Sequence, residues 1–107
     1  MKYIISENQR KKVMYDYISS YVKNTFNELE ADYKDSFIII WNPYADEDED
    51  AELILFEYDS WDGRLWISKD YIKKIRSFVP MDISDVHSII KDLFESTFDV
   101  NVKFVKS

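Results

Sequence analysis

The chain of 107 residues contains a single glycine, Gly63, and this scarcity limits both its turns and its chemistry. Glycine is the residue that takes a positive φ without a steric penalty. Loops that cradle phosphate need several glycines, so the P-loop and the dinucleotide-binding fingerprint are both excluded. Cysteine is absent as well, which excludes disulfides, thiolate metal sites and a cysteine nucleophile. The chain therefore has to fold through its hydrophobic core alone.

The first third of the sequence has the pattern of one long amphipathic helix. Its apolar residues recur at helical spacing with neither glycine nor proline among them: Met14, Tyr17, Ile18, Tyr21, Val22, Phe26 and Leu29. We predict a helix over residues 7–32. We also expect the face of Tyr17, Ile18 and Tyr21 to pack on a sheet, because a wide apolar stripe has to be covered.

The middle of the sequence has the pattern of β-strands. Residues 36–41 are β-branched and aromatic on both faces, which is typical of a central strand. Residues 52–58 alternate between the two faces of a strand. Residues 64–68 follow an Asp-Gly pair, which favours a hairpin turn. We therefore predict three consecutive strands in this region.

The last third of the sequence predicts two short helices and a strand. Ser68 can cap the first helix, and Asp82 or Ser84 can cap the second. Residues 100–105 alternate, so we predict a fourth strand there. The predicted order is α-β-β-β-α-α-β over residues 1–107. This order indicates one α+β domain, in which a mainly antiparallel sheet is packed by the long N-terminal helix and the C-terminal helices.

The net charge of −7 is concentrated in the middle of the chain. Residues 36–68 carry nine acidic residues and one basic residue, Arg64. A concentrated acidic field repels nucleic acid and membrane surfaces and attracts basic partners. We therefore expect a protein partner with a basic surface, no nucleic acid and no membrane. Because no apolar run is long enough for a signal peptide or a membrane span, we expect a cytoplasmic location.

The densest acidic stretch has part of the spacing of a calcium-binding loop. Asp46, Asp48, Asp50 and Glu57 occupy the first, third, fifth and twelfth positions of an EF-hand loop. The sixth position is Ala51, where the sharp turn of that loop requires glycine, and the flanks predict strands rather than helices. We therefore predict a solvated acidic loop without metal. Its three aspartates are candidate binding residues for a basic partner.

Catalytic residues are not expected. His87 is the single histidine, and there is no second histidine or cysteine with which it could bind zinc. The serines fit helix caps or helix surfaces rather than a poised nucleophile. Carboxylates are abundant, but a chain of this length with one glycine has little material for the cleft that paired-carboxylate chemistry needs. We predict no catalytic residue, no cofactor and no metal.

One basic group is a local candidate for nucleic-acid binding. Lys69, Lys73, Lys74 and Arg76 lie close to Tyr71 in the sequence. The same residues fit the polar face of an amphipathic helix, and nucleic-acid binders are usually basic overall, whereas this chain is acidic. We therefore interpret the group as a solvated helix face.

Aromatic residues gather in the predicted sheet and its turns. They are Trp41, Tyr44, Tyr58, Trp61 and Trp66. Trp61 lies at a predicted turn tip, and two interpretations of it remain open. Either it is exposed beside the acidic loop and anchors a partner, since Trp and Tyr dominate binding hot spots, or it folds back over the sheet edge as a lid on the core. Trp61, Tyr44 and Trp66 are the candidate aromatic binding residues.

Two stretches of the chain are similar in sequence to one group of small proteins. They are the opening MKYIISENQ and, later, DISDV and IIKDLFE within residues 78–95. They resemble small uncharacterised proteins of phage genomes, especially marine phages. The resemblance implies a viral origin and transfers no activity and no functional residue.

Two functions remain after these exclusions. The first is a non-enzymatic protein-binding module, which the resemblance extends to a small phage accessory or virion component. The alternative is an acidic inhibitor of the DNA-mimic, anti-defence or toxin-immunity type, which blocks a basic site. A mimic needs carboxylates spread over a rigid surface, whereas a binding module needs an exposed apolar or aromatic patch.

Overall fold

The computed structural model describes residues 7–43 and 52–107. Its first element is the long helix α1 (Glu7–Glu28). Ile18, Val22 and Phe26 form a buried row at i, i+4 spacing along one side of α1. Tyr21 is half-buried beside this row, but Tyr17 is 52% exposed. Because Tyr17 lies about 100° around the helix from Ile18 and further from the row, its predicted place in the packed face is wrong.

The chain leaves α1 earlier than its sequence pattern predicts and enters an additional strand. α1 ends at Glu28 rather than at residue 32, and β1 (Ala31–Lys34) pairs antiparallel with β2 (Phe37–Trp41). The turn between them holds Asp35 at φ 52°. β1 is polar and mostly exposed at the sheet edge. It therefore lacks the apolar alternation by which a strand is recognised in a sequence.

The described residues form a single five-stranded sheet in the order β1-β2-β3-β4-β5. β3 (Ile54–Asp59) and β4 (Arg64–Ile67) continue the antiparallel meander, and β5 (Phe104–Lys106) pairs parallel with β4. A parallel neighbour requires a crossover connection, which here contains two helices. The α+β class with a mainly antiparallel sheet is confirmed, and the observed order is α-β-β-β-β-α-α-β.

The three helices cover the same face of the sheet. The helices of the crossover are α2 (Lys69–Phe78) and α3 (Ile83–Phe98). The Phe56 ring on β3 lies 5.1 Å from that of Phe26 on α1 and 4.9 Å from that of Tyr71 on α2. On the same strand, the Tyr58 ring lies 5.7 Å from that of Phe94 on α3. The core therefore lies between the sheet and one helical layer.

None of the helices in the described part of the chain could cross a lipid bilayer.

Candidate binding surface

The side of the sheet that faces away from the helices carries two rows of side chains, which the strand register aligns. The first row contains Lys34, Phe37, Asp59, Arg64 and Phe104, and the second contains Asp32, Ile39, Glu57, Trp66 and Lys106. Trp41 and Ile54, which also pair, extend this surface at one end of β2 and β3. We call these twelve residues the open face. No element among residues 7–43 and 52–107 is packed on it.

Large apolar side chains of the open face remain in contact with solvent. Trp41 is 44% exposed and Phe104 is exposed to a similar extent, while Ile39 and Trp66 are half-buried. β2 contributes apolar side chains to this face because residues 37–41 are apolar at every position, so the strand presents hydrophobic side chains both to the core and away from it. Aromatic side chains that remain exposed on an uncovered surface are typical of an interaction site.

A shallow depression of about 500 Å³ lies on the open face and on the segment that leads into β3. Its lining residues are Glu52, Leu53, Ile54, Glu57, Arg64, Trp66 and Lys106. Two acidic and two basic side chains balance each other there, and Trp66 contributes an aromatic surface. The half-buried Glu57 lies between Ile39 and Trp66 in the strand register. The depression can therefore hold an amphipathic group of a partner.

The predicted acidic loop joins the sheet at the Trp41 and Ile54 end. There the Asn42 backbone N–H donates to the Leu53 carbonyl at 2.8 Å, and the Asn42 side-chain amide donates to the Glu52 carbonyl at 2.9 Å. These two bonds hold together the chain on either side of the acidic stretch. Four of the predicted binding residues lie outside the described residues: Tyr44, Asp46, Asp48 and Asp50.

Trp61 is exposed at the tip of the turn between β3 and β4. It is 86% exposed, so the alternative in which it covers the core edge is wrong. Its backbone N–H donates to Asp59 Oδ1 at 3.0 Å, and the Ser60 N–H donates to the Ser36 carbonyl at 3.0 Å. The turn is thus fixed against the β1–β2 turn, at the opposite end of β3 from Ile54. The structure places Trp66 in the depression and leaves Trp61 away from it.

His87 lies on α3 in the helical layer and is not part of the open face. Its Nε2 lies 2.9 Å from Ser107 Oγ, and burial lowers the pKa of the imidazole. In the described part of the chain, no carboxylate is hydrogen-bonded to this ring. No cluster of three or more His, Cys, Asp or Glu residues in that part is arranged to hold a metal ion.

Part of the open face could not be predicted from the sequence. Trp66 is among the binding residues predicted from the sequence, but Ile39 and Phe104 are not, and Glu57 was considered only as a position of a calcium-binding loop. The apolar run of residues 37–41 already indicated a second hydrophobic sheet face. The sequence predicts this run to be a central strand covered on both sides. A sequence cannot distinguish a covered sheet face from an uncovered one, because the covering element is distant in the chain.

Comparison with protein-family models, with curated proteins and with solved structures found no match. The function therefore has to be inferred from the chemistry of the site.

Proposed function

We propose that the chain is a non-enzymatic protein-binding module that receives its partner on the open face. One observation carries the proposal. Trp41 and Trp66, together with Ile39 and Phe104, lie on a sheet face that no described element covers. Tryptophan is enriched at binding hot spots because its large ring buries much surface against a partner while its N–H can donate a hydrogen bond. The open face therefore supplies the anchors of an interface.

The charge of the chain supports a partner with a basic surface. Residues 36–68 carry a net charge of −8, from nine acidic residues and one arginine. Five of these acidic residues, at positions 46–50, are joined to the sheet at the Trp41 end. Charges around an apolar centre steer the encounter more than they add to affinity. The resemblance to phage proteins extends the proposal to a phage accessory or virion component.

The acidic inhibitor is the second candidate, and it rests on the same concentration of carboxylates. The charges of the open face favour the binding module instead. Three acidic residues there, Asp32, Glu57 and Asp59, are matched by three basic residues, Lys34, Arg64 and Lys106. A DNA mimic needs an excess of carboxylates on a rigid surface, and this face has no such excess.

The test uses two single substitutions of exposed or half-exposed tryptophans. A tagged copy of the chain is used to isolate its partner, which is identified by mass spectrometry and purified. Binding is then measured for the wild type, Trp66→Ala and Trp61→Ala. We expect Trp66→Ala to weaken binding by roughly thirtyfold, as for a hot-spot residue, and Trp61→Ala to change it little.

As a control, the urea concentration at the midpoint of unfolding is measured for both variants and should be close to that of the wild type. The proposal fails if Trp66→Ala leaves the affinity unchanged. Loss of binding in Trp61→Ala alone would move the interface to the β3–β4 turn. Loss of binding only when the acidic stretch is neutralised would favour the inhibitor.

A further inference from the structure

A second surface lies in the helical layer, in a groove of about 460 Å³ between α2 and the start of α3. Its lining residues are Lys69, Ile72, Lys73, Arg76, Ser77, Ile83 and Ser107. Three of them are cationic and none is acidic, although the chain as a whole carries a charge of −7. The groove shares no residue with the open face. It is therefore an electrostatic feature of its own.

The three cations form a line along the groove. Lys69, Lys73 and Arg76 follow i, i+4, i+7 spacing on α2, so they share one side of the helix over a rise of about 10 Å. Arg76 Nε donates to the Met81 carbonyl at 3.2 Å, which fixes the direction of the guanidinium. No described carboxylate forms an ion pair with any of the three, so their charges are available to a ligand.

The remaining lining consists of two isoleucines and two serines, and the acidic neighbours lie outside it. Ile72 is buried at the base of the groove, and Ile83 at the start of α3 is 42% exposed. Asp70 on α2 and Asp82 before α3 are the nearest acidic residues in the sequence, and the Glu52 carboxylate accepts a hydrogen bond from the Lys69 N–H, but none of the three lines the groove. The groove thus combines a cationic wall with an exposed aliphatic side chain.

We propose that this groove binds an acidic peptide segment of a partner protein in an extended conformation. In an extended chain, side chains two residues apart point the same way and lie about 6.6 Å apart. Lys69 and Lys73 are separated by a rise of about 6 Å along α2. Carboxylates on alternate residues of a peptide therefore match the spacing of the cations, while Ile83 offers an apolar contact.

Two other anionic ligands fit the groove less well. Single-stranded nucleic acid binds to aromatic platforms, but Tyr71, the aromatic residue of this helix closest to the lysines, is buried in the core. Among residues 7–43 and 52–107, no aromatic residue lines the groove. A free phosphate needs donors that converge on one point, whereas these three cations are spread along the helix. A short acidic peptide uses the whole line of cations.

The two surfaces lie in different layers of the domain, and they adjoin where Glu52, which lines the depression, accepts a hydrogen bond from the Lys69 N–H. The open face is on the outer side of the sheet, and the groove is in the helical layer on the other side. A protein with both would connect a basic partner on one side to an acidic peptide on the other, and so act as an adaptor. The two surfaces have no residue in common, so Trp66→Ala changes the open face alone and Lys73→Glu changes the groove alone.

The experiment measures fluorescence anisotropy of a fluorescein-labelled synthetic peptide in which aspartate alternates with leucine. The matched variants are Lys73→Glu, which changes the groove, and Lys74→Glu, which makes the same charge change at an exposed position of α2 that does not line it. We expect Lys73→Glu to weaken binding by about tenfold or more and Lys74→Glu by about twofold or less. A peptide in which asparagine replaces aspartate should not bind.

Several results would overturn the proposal. They are no binding of the aspartate peptide to the wild-type chain, equal weakening by the two variants, and equal binding of the asparagine peptide. Tighter binding of a labelled single-stranded oligonucleotide that is lost in Lys73→Glu would assign the groove to nucleic acid instead. Displacement of the peptide by inorganic phosphate at a concentration equal to that of the peptide would assign it to a small anion.

Discussion

Glu52 Oε1 accepts a hydrogen bond of 3.0 Å from the backbone N–H of Lys69, the first residue of α2. Ser68 occupies the N-cap position, but its Oγ makes no capping bond and is buried without a partner among the described residues. The sequence predicts Ser68 as the cap of this helix. The structure instead gives the role to the Glu52 carboxylate, 17 residues before Lys69, and the positive end of the helix dipole also stabilises this negative charge.

The first prediction concerns this exchange of capping residues. Glu52→Ala should lower the free energy of unfolding by about 1 kcal/mol, because it removes a charged acceptor from the N-terminus of α2. Ser68→Ala should leave the free energy of unfolding unchanged or raise it slightly, because the hydroxyl that it removes is buried without a bond. Urea denaturation of both variants measures the difference. A larger loss in Ser68→Ala than in Glu52→Ala would contradict the observed cap.

The second prediction concerns the glycine. Gly63 has φ +71° and is buried, and a Cβ there would lie 2.7 Å from Lys103 Cγ. Gly63→Ala should therefore lower the free energy of unfolding by more than about 1 kcal/mol, through backbone strain and this contact.

A contrasting substitution provides the control for Gly63. Asp99 ends α3 in the left-handed region at φ 53°, where glycine is the preferred residue. Asp99→Gly should raise the free energy of unfolding by up to about 1 kcal/mol. Thermal unfolding monitored by circular dichroism measures both changes. If Gly63→Ala were as stable as the wild type, the turn would have to adopt another conformation.

The third prediction concerns stability at alkaline pH. Tyr71 OH lies 2.8 Å from Thr25 Oγ1, and because the Thr25 hydroxyl donates to the Tyr21 carbonyl, Tyr71 donates to Thr25. Burial raises the pKa of Tyr71 well above its ordinary value. The unfolded chain therefore loses this proton first, so the stabilisation is complete below about pH 10 and is lost as the pH rises from there towards the folded pKa.

The substitution Tyr71→Phe isolates this contribution. It should lower the free energy of unfolding by about 1 kcal/mol at neutral pH, because a buried hydrogen bond is lost. It should also make the decline above about pH 10 shallower. Burial also raises the pKa of Tyr58, so part of the decline in stability above about pH 10 should remain in Tyr71→Phe. Tyr17→Phe, at an exposed position, is the control, and an unchanged slope in Tyr71→Phe would contradict the prediction.

The fourth prediction concerns the acidic stretch and the kinetics of partner binding. Replacing Asp46, Asp48 and Asp50 by Asn should reduce the association rate more than it raises the dissociation rate, because exposed charges act mainly on the encounter. Association of the wild type should slow as salt rises, since charges are screened beyond about 8–10 Å at physiological ionic strength. Surface plasmon resonance at low and high salt measures both rates.

The matched control removes the same charge from the helical layer. Asp16, Asp85 and Asp92 are exposed on α1 and α3, and their replacement by Asn lowers the negative charge of the chain equally. If that variant slowed association as much as the first, the net charge alone would explain the effect. The acidic stretch would then have no specific part in steering.

Local periodicity alone predicts the presence of the helices and of most of the strands. The i, i+4 row of Ile18, Val22 and Phe26 predicts α1, and the alternation within residues 52–58 predicts β3. These patterns are readable because a helix or strand places neighbouring residues on faces at fixed angles, whatever else the chain does. The sequence by itself thus determined the α+β class and the identity of much of the core.

Only the tertiary structure decided which predicted surfaces are exposed. Tyr17 and Trp61 proved to be exposed, β1 appeared where a helix end was predicted, and Glu52 replaced Ser68 as a cap. The open face, with Trp66 in its depression, depends on all three helices packing on the other side of the sheet. Burial, capping and pairing each depend on groups that are distant in the chain, so no local pattern records them.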